Sequence, residues 1–414
     1  KIFPKNKNIY AINTNVSRSD GARNGNVTAI GFSANFKDDQ YNFRGSTSYS
    51  VINEKIDSVK LKRGYQYILD FDKTSGRFRY GWRTEAVSEN YDKNDLGVIF
   101  QRNFYQHGWS MNYILFEPYG KIRDLFTQLF VSVRQHKPTG ELSAVFFNLQ
   151  ANTTFDKQFL SFFTSMNTSL YEEKDFYAAR TEGQVYRRPR FASFNAGIST
   201  DYRKKLAVDT ELTTTFSAAN GGAYEVYYSL SPIYRINDHL TLHYNFEAYK
   251  AIDDVGYATR NDLDVPIFGK RDIVEYTNII SGKYIFKNNL SLDVRARHYW
   301  SRVDYEKYYE LDDEGYLTTT SYNYEVDEDE NNINFNVFNI DVLFNWEFAL
   351  GSALSISYKN DIAGFNQNTH ENIFQNLGSL FDQVQTNSVS IKLLYYLDYV
   401  TVRSWVNRHK SKNA

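Results

Sequence analysis

The chain has 414 residues, a formal charge of −2 and no cysteine, which excludes disulfides and thiolate metal sites and gives no reason to expect a nucleic-acid partner. Aromatic residues make up 17% of it, 34 Tyr and 31 Phe against only 6 Pro, a composition that favours strands. Mean hydropathy is −0.55. No window holds the roughly 18 apolar residues of a membrane helix, but a transmembrane strand is apolar on one face only and averages out as hydrophilic.

The chain opens KIFPKNKNIY, without an initiator Met or an apolar signal core. It reads as a mature or partial chain, with residues 1–8 a periplasmic lead-in and an upstream periplasmic domain expected to precede it. Tyr10, Ile12, Thr14 and Val16 then alternate with Ala11, Asn13, Asn15 and Ser17, the period of two that marks a half-buried strand. Ile30, Phe32, Ala34 and Phe36 form the next apolar row, and after the turn KDDQ come Tyr41, Phe43, Thr47, Tyr49 and Val51. The charged stretch NEKIDSVKLKRG reads as a long loop.

Tyr65, Tyr67, Leu69 and Phe71 lead to the turn DKTSG, and Phe78, Tyr80, Trp82 and Thr84 return opposite Arg79, Arg83 and Glu85. After the long connection SENYDKNDLGVIFQRN, the same scheme continues through Trp109, Met111 and Tyr113, then Leu129, Val131 and Val133. Val145, Phe147 and Leu149 oppose Asn148, Gln150 and Asn152, an amide-rich face suited to water. Long loops are expected around 172–190, 252–271, 308–332 and 366–385, and short turns at YRKK, RINDH, FKNN and FALGSA.

The last alternating stretch, SVSIKLLYYLDY, sets Val389, Ile391, Leu393, Tyr395 and Leu397 against Ser390, Lys392 and Asp398. The pattern predicts an all-β fold: a transmembrane antiparallel up-and-down β-barrel of about 18 strands, with short periplasmic turns and long extracellular loops. Residues 1–414 would form this single domain, with 400–414 a periplasmic tail. The terminal strand Ser388–Tyr399 is expected to pair with Ile9–Ser17, because two open apolar edges would aggregate.

Strand side chains alone cannot fill so wide a barrel, so the apolar set should face lipid and the charged set a wet lumen. The lumen-facing charges are Arg79, Arg83, Glu85, Asp209, Glu211, Asp293, Arg295, Arg297 and Lys392. The triplet Asp293, Arg295 and Arg297 is expected to pair with Glu and Asp on facing strands, an anion-attracting patch being the alternative. A periplasmic aromatic girdle is assigned to Phe36, Tyr41, Phe71, Phe78, Tyr234, Tyr284, Phe348 and Tyr399, with Trp82, Trp109 and Trp300 near the outer one.

The acidic loop 310–331 lacks the Gly and Glu of a calcium loop and reads as solvated charge. His298, outward, and His243, inward, have no sequence-adjacent nucleophile or acid, so neither an enzyme nor a cofactor is expected. ENIFQNLGSLFDQVQ places Ile373, Phe374, Leu377, Leu380, Phe381 and Val384 at helical spacing. This helix could plug the lumen, dock a partner or cap the mouth.

Three stretches, YDKNDLGVIFQRN with its Asn94, Asp95, Leu96 and Gly97, YILDFDKTSGRFRYGWR, and the closing LLYYLDY, resemble a Bacteroidota outer-membrane family of unknown function. In that family a periplasmic domain similar to carbohydrate-binding-module family 9 precedes the barrel, and the resemblance covers the barrel half only. It implies the outer membrane of a Gram-negative bacterium, with outer-membrane lipid and lipopolysaccharide as surroundings and other outer-membrane proteins or surface lipoproteins as further partners. The functional expectation is a channel for polar solutes; the alternative is a non-transporting accessory barrel in an outer-membrane assembly, secretion or uptake complex.

Overall fold

The computed structural model describes all residues except 1–5, 20–22, 57, 96, 100, 182, 219–221, 323–330, 400–402 and 404–414. The alternating segments form strands in the expected order. The first nine are β1 (Lys7–Val16), β2 (Arg23–Phe36), β3 (Tyr41–Ile56), β4 (Ser58–Lys73), β5 (Phe78–Val87), β6 (Phe104–Leu115), β7 (Ile122–His136), β8 (Leu142–Phe155) and β9 (Leu160–Ser169). A hairpin of three-residue strands, β10 (Glu173–Asp175) and β11 (Tyr186–Arg188), lies in the following loop. The sheet resumes with β12 (Phe191–Ser199), β13 (Leu206–Ser217), β14 (Tyr224–Arg235), β15 (Leu240–Arg260), β16 (Pro266–Lys287) and β17 (Leu290–Leu311). After the short β18 (Leu317–Thr319) come β19 (Ile333–Ala349), β20 (Ser352–Asn366), the helix α1 (Ile373–Leu380) and β21 (Gln385–Leu394).

Each long strand pairs antiparallel with its neighbours in sequence, β9 joining β12 and β17 joining β19 across the short hairpins. Eighteen strands of nine or more residues therefore make one up-and-down sheet among the described residues. Short turns such as 37–40, 74–77 and 288–289 gather at one end, and 88–103, 170–190, 312–332 and 367–384 at the other.

Two stretches expected as loops are strand. Pairing of β3 with β4 runs on from Val51↔Arg63 to Ile56↔Ser58, and β15, β16 and β17 reach 21, 22 and 22 residues. A bilayer needs only about 9–11 residues per strand, so the excess extends beyond it, where charged residues can stand beside apolar ones that the loops cover, such as Phe268 and Tyr305, and charge no longer marks a loop.

The expected seam is not formed: among the described residues β1 pairs only with β2 and β21 only with β20. Their side chains alternate out of step. The register Tyr10↔Gly31 and Ile12↔Ala29 puts Tyr10 and Ile12 on the face opposite Ile30 and Phe32, because glycine at 31 leaves room for the Tyr10 ring. Val389, Ile391 and Leu393 of β21 lie on the apolar face, so the two edges do not present one continuous apolar surface. β21 also ends at Leu394 rather than Tyr399, since its partner β20 begins at Ser352, whose hydroxyl accepts from the Tyr396 amide at 2.9 Å.

Candidate functional site

The register sorts the sheet into an apolar and a polar face. On the apolar face Ile30, Trp109, Met111, Leu149, Leu212, Ile280 and Ile391 are all exposed, a band of large hydrophobic side chains that water alone would not tolerate. At its short-turn end Tyr41 packs against Phe36 at 5.5 Å and Phe71 at 6.0 Å, and Tyr284 meets Phe286 at 4.7 Å. Phe78 and Tyr234 are exposed in the same belt, and Phe348 stacks on Tyr395 at 6.2 Å. Tyr399 lies past the last strand pair, outside the ladder, and is 74% exposed.

The polar face changes character around the sheet. On β3 to β5, Arg44 reaches Asp72 at 3.0 Å and Arg83 bridges Asp70 at 3.3 Å and Glu85 at 3.2 Å. Arg79 lies nearer the turn, donating to the Gly76 carbonyl at 3.1 Å and covering the Phe116 ring. An amide ladder follows: Gln128 donates to Asn112 at 2.8 Å, Gln150 to Gln128 at 2.9 Å and Asn148 to Asn167 at 2.7 Å. Cross-strand side-chain pairs of this kind stabilise a sheet by a few tenths to about 1 kcal/mol each.

On β13 to β16 five acids of the polar face stand without cations. Asp209, Glu211, Glu225, Glu247 and Glu275 face this side, and among the described residues none is in an ion pair. Neutral partners hold them: Tyr202 donates to Asp209, Asn195 to Glu211, Asn245 to Glu247 at 2.8 Å, and Tyr299 to Glu275 at 2.9 Å. Ion pairs return on the last strands, with Lys283 to Asp293 at 3.4 Å and Arg295 to Asp341 at 2.6 Å. Of the triplet, Arg295 thus meets a facing carboxylate as expected, whereas Asp293 meets a lysine. Arg297 and Lys392 lie on the same face without an ion pair among the described residues.

The long loops fold over this face and hold one another. Tyr91, 1% exposed, shares a 2.7 Å hydrogen bond with Ser48, and the Asp92 amide donates to Ser50 at 3.0 Å. Its backbone lies directly on Gly64, where an added Cβ would come within 2.0 Å of the Tyr91 nitrogen. Arg23 clamps Asp92 at 2.9 Å and Asp95 at 3.0 Å, and Arg18 reaches Asp95 at 2.7 Å. Burial works to raise both carboxyls, yet the Asn94 amide and Arg23 hold Asp92, and Arg18 and Arg23 hold Asp95, below the usual carboxylate range. Asn94 and Asp95 belong to the loop motif of the family resemblance; Leu96 is outside the described residues.

The Arg102 amide donates to Tyr177 at 2.9 Å, tying this loop to 170–190, where Phe176 stacks on His136 at 3.8 Å and Arg188 pairs with Asp175 at 2.9 Å. Arg187 donates from Nε to the Glu314 carbonyl at 2.7 Å and covers the Tyr316 ring, joining the third loop. Tyr186 buries against Phe268 at 4.8 Å, and that burial pushes its hydroxyl up to about 12. Between the β10–β11 hairpin and the polar face lies a cavity of about 380 Å³. Phe146, Ser193, Thr215, Glu173, Glu225 and Asp254 are among its lining residues.

The predicted helix forms, but on the apolar side of β19. Asn376 of α1 donates to Asn334 at 2.8 Å, and the Asn336 amide donates to the Asn376 carbonyl at 3.0 Å. Trp300 donates to Asn334 at 2.8 Å and His298 shares a 3.0 Å bond with Asn336. Trp300, held by Asn334 and stacked on Tyr276 at 5.8 Å, is only 3% exposed rather than set in an outer girdle, and the His298 ring is engaged by an amide. Elsewhere Asp253, Asp272 and Glu306 converge, and Lys270 supplies the cation, 2.5 Å from Asp253 and 3.2 Å from Glu306.

A family model described as a domain of unknown function matches residues 1–406. The chain belongs to the DUF5916 family. No curated protein matches this DUF5916 chain. Among solved structures, the siderophore receptor PirA of Pseudomonas aeruginosa is similar at 8% identity and a TM-score of 0.48, over 95% of this chain and 81% of that one. PirA of Acinetobacter baumannii is similar at 10% identity and 0.46, over 94% and 73%. OmpT of Vibrio cholerae gives 9% identity and 0.34, over 76% and 91%. At such values the functional reading rests on the chain's own residues.

Proposed function

We propose that this DUF5916 chain is an outer-membrane β-barrel of a Gram-negative, Bacteroidota-type cell that passes polar solutes along its polar face. The observation that carries the reading is the division of the sheet: exposed Trp109, Met111, Leu149 and Ile391 on one face, and Arg44, Arg83, Gln128, Glu247 and Arg295 on the other. Lipid suits the first face and water the second, because a lone charge in hydrocarbon costs several kcal/mol. The short turns then face the periplasm and the long loops the cell surface, with lipid and lipopolysaccharide around the apolar belt. No catalytic step is part of this reading.

The interlocked loops favour a regulated path over an open pore, since Tyr91 seats one loop on the polar face and Tyr177 and Arg187 tie the loops to one another. A second reading, an accessory barrel that docks another outer-membrane protein or surface lipoprotein, is supported by α1 and the segment after it, which expose Phe374 at 83% and Val384 at 87%. Planar-bilayer recording of the purified chain separates the two. Stepwise conductance that rises when the Arg23 clamp is removed supports passage, and silence in both forms sinks it.

A further inference from the structure

We propose that the acidic part of the polar face and the cavity above it bind a polyvalent organic amine, a deepening of the passage reading that rests on that face being wet. The carboxylates are arranged as a stair. The register sets Glu211 and Glu247 in one row through Ser229, Glu275 one step higher beside Tyr249 and Tyr227, and Glu225 one step above that beside Thr215. Each step is two residues, about 7 Å along a strand. At the top is the cavity of about 380 Å³, lined by Glu225 and by Glu173 of the hairpin.

Compensation for these charges is missing from the wall itself. Glu173, Glu211, Glu225, Glu247 and Glu275 form no ion pair among the described residues. The cations beside them are committed: Arg188 to Asp175 at 2.9 Å, and Arg271 to Asp254 at 2.8 Å. Elsewhere on the same face the acids Asp70, Asp72, Asp293 and Asp341 are paired with cations, so the run of carboxylates without an ion pair lies on this wall. Such a field concentrates cations. Beside the committed Arg188, the cavity is lined by the aromatic residues Phe146, Phe191 and Tyr186, a residue type that attracts ammonium groups, and by the hydroxyl residues Thr215 and Ser217. Carboxylates at successive steps fit a chain of spaced amines better than a single metal ion, which would require its ligands on one point.

The test uses the full chain in detergent micelles, titrated calorimetrically with spermidine and, at matched ionic strength, with sodium chloride, and then reconstituted in planar bilayers. Saturable spermidine binding that sodium chloride does not reproduce, weakened about tenfold or more by Glu225→Gln and unchanged by Glu85→Gln, supports the site. Glu173→Gln lies in the hairpin outside the long strands and reads the cavity even where the Glu225 variant fails to fold. Absence of saturable binding, or wild-type affinity in folded Gln variants, overturns the proposal. Binding without conductance keeps the site and removes the passage reading; conductance without amine binding or block does the reverse.

Discussion

Arg23 illustrates how a residue's role follows from what it reaches. Its guanidinium spans Asp92 and Asp95, whose side chains are largely buried, while its own is 29% exposed. Both carboxyls are held below their ordinary range. A carboxyl depressed on folding adds stability above its unfolded value, about pH 4, and that stability drains away as the pH falls through the folded value. Loop 88–103 is therefore expected to stay docked at neutral pH and to become protease-sensitive in acid, with Arg23→Ala reaching the same sensitivity at neutral pH. Limited proteolysis across a pH series checks this; cleavage of the loop that is the same at every pH contradicts it. Sequence alone marked Asp95 as part of a family motif but could not name its partner, because Arg23 is 72 residues away and an ion pair leaves no periodic trace.

At the scale of elements, alternation made the long strands readable and failed where the environment was no longer two-sided. The upper halves of β15, β16 and β17 run past the length a bilayer needs and are covered by loop side chains, Tyr186 on Phe268 and Tyr322 against Tyr308, so their mix of charged and apolar residues resembled a loop. The helical spacing of 373–384 was legible too, but its docking side was not, since that depends on Asn334 and Asn336 turning outward from β19 to meet Asn376. Asn376→Leu keeps the helix-forming sequence and the main-chain carbonyl bond from Asn336 but removes the side-chain bonds to Asn334 and Asn336, at about 0.5–1.5 kcal/mol each. Faster hydrogen exchange over 373–380 with an unchanged sheet is expected; protection equal to wild type would mean that the apolar contact of Phe338 with Phe381, at 5.3 Å, suffices. Gly64 gives a complementary test. A Cβ there meets the Tyr91 backbone, which cannot yield as a flexible side chain can, so Gly64→Ala should displace loop 88–103 at a cost of about 1–3 kcal/mol, read from thermal unfolding and proteolysis. An alanine variant as stable and as resistant as wild type would show that the loop is not seated on β4.

For the whole molecule, the number of long strands and the two faces were contained in the period-of-two pattern, whereas the seam was not. Tyr10 and Ile12 looked like lipid-facing residues in isolation, and only the β1–β2 register, set by Gly31, turns them to the polar face. The polar face likewise showed its charges in sequence but not their balance: Arg83 and Arg295 are matched by neighbours that lie 13 and 46 residues away, while Glu211 and Glu247 meet only neutral groups. Since the chain has no cysteine, single cysteines can be placed at will, and labelling along one hairpin tests the central claim directly. In proteoliposomes, Leu149→Cys and Met166→Cys should resist a charged, membrane-impermeant maleimide and accept a lipid-soluble one, while Gln150→Cys and Asn167→Cys should show the opposite. Equal labelling of all four by the charged reagent would contradict a sheet with one face in lipid and the other in water.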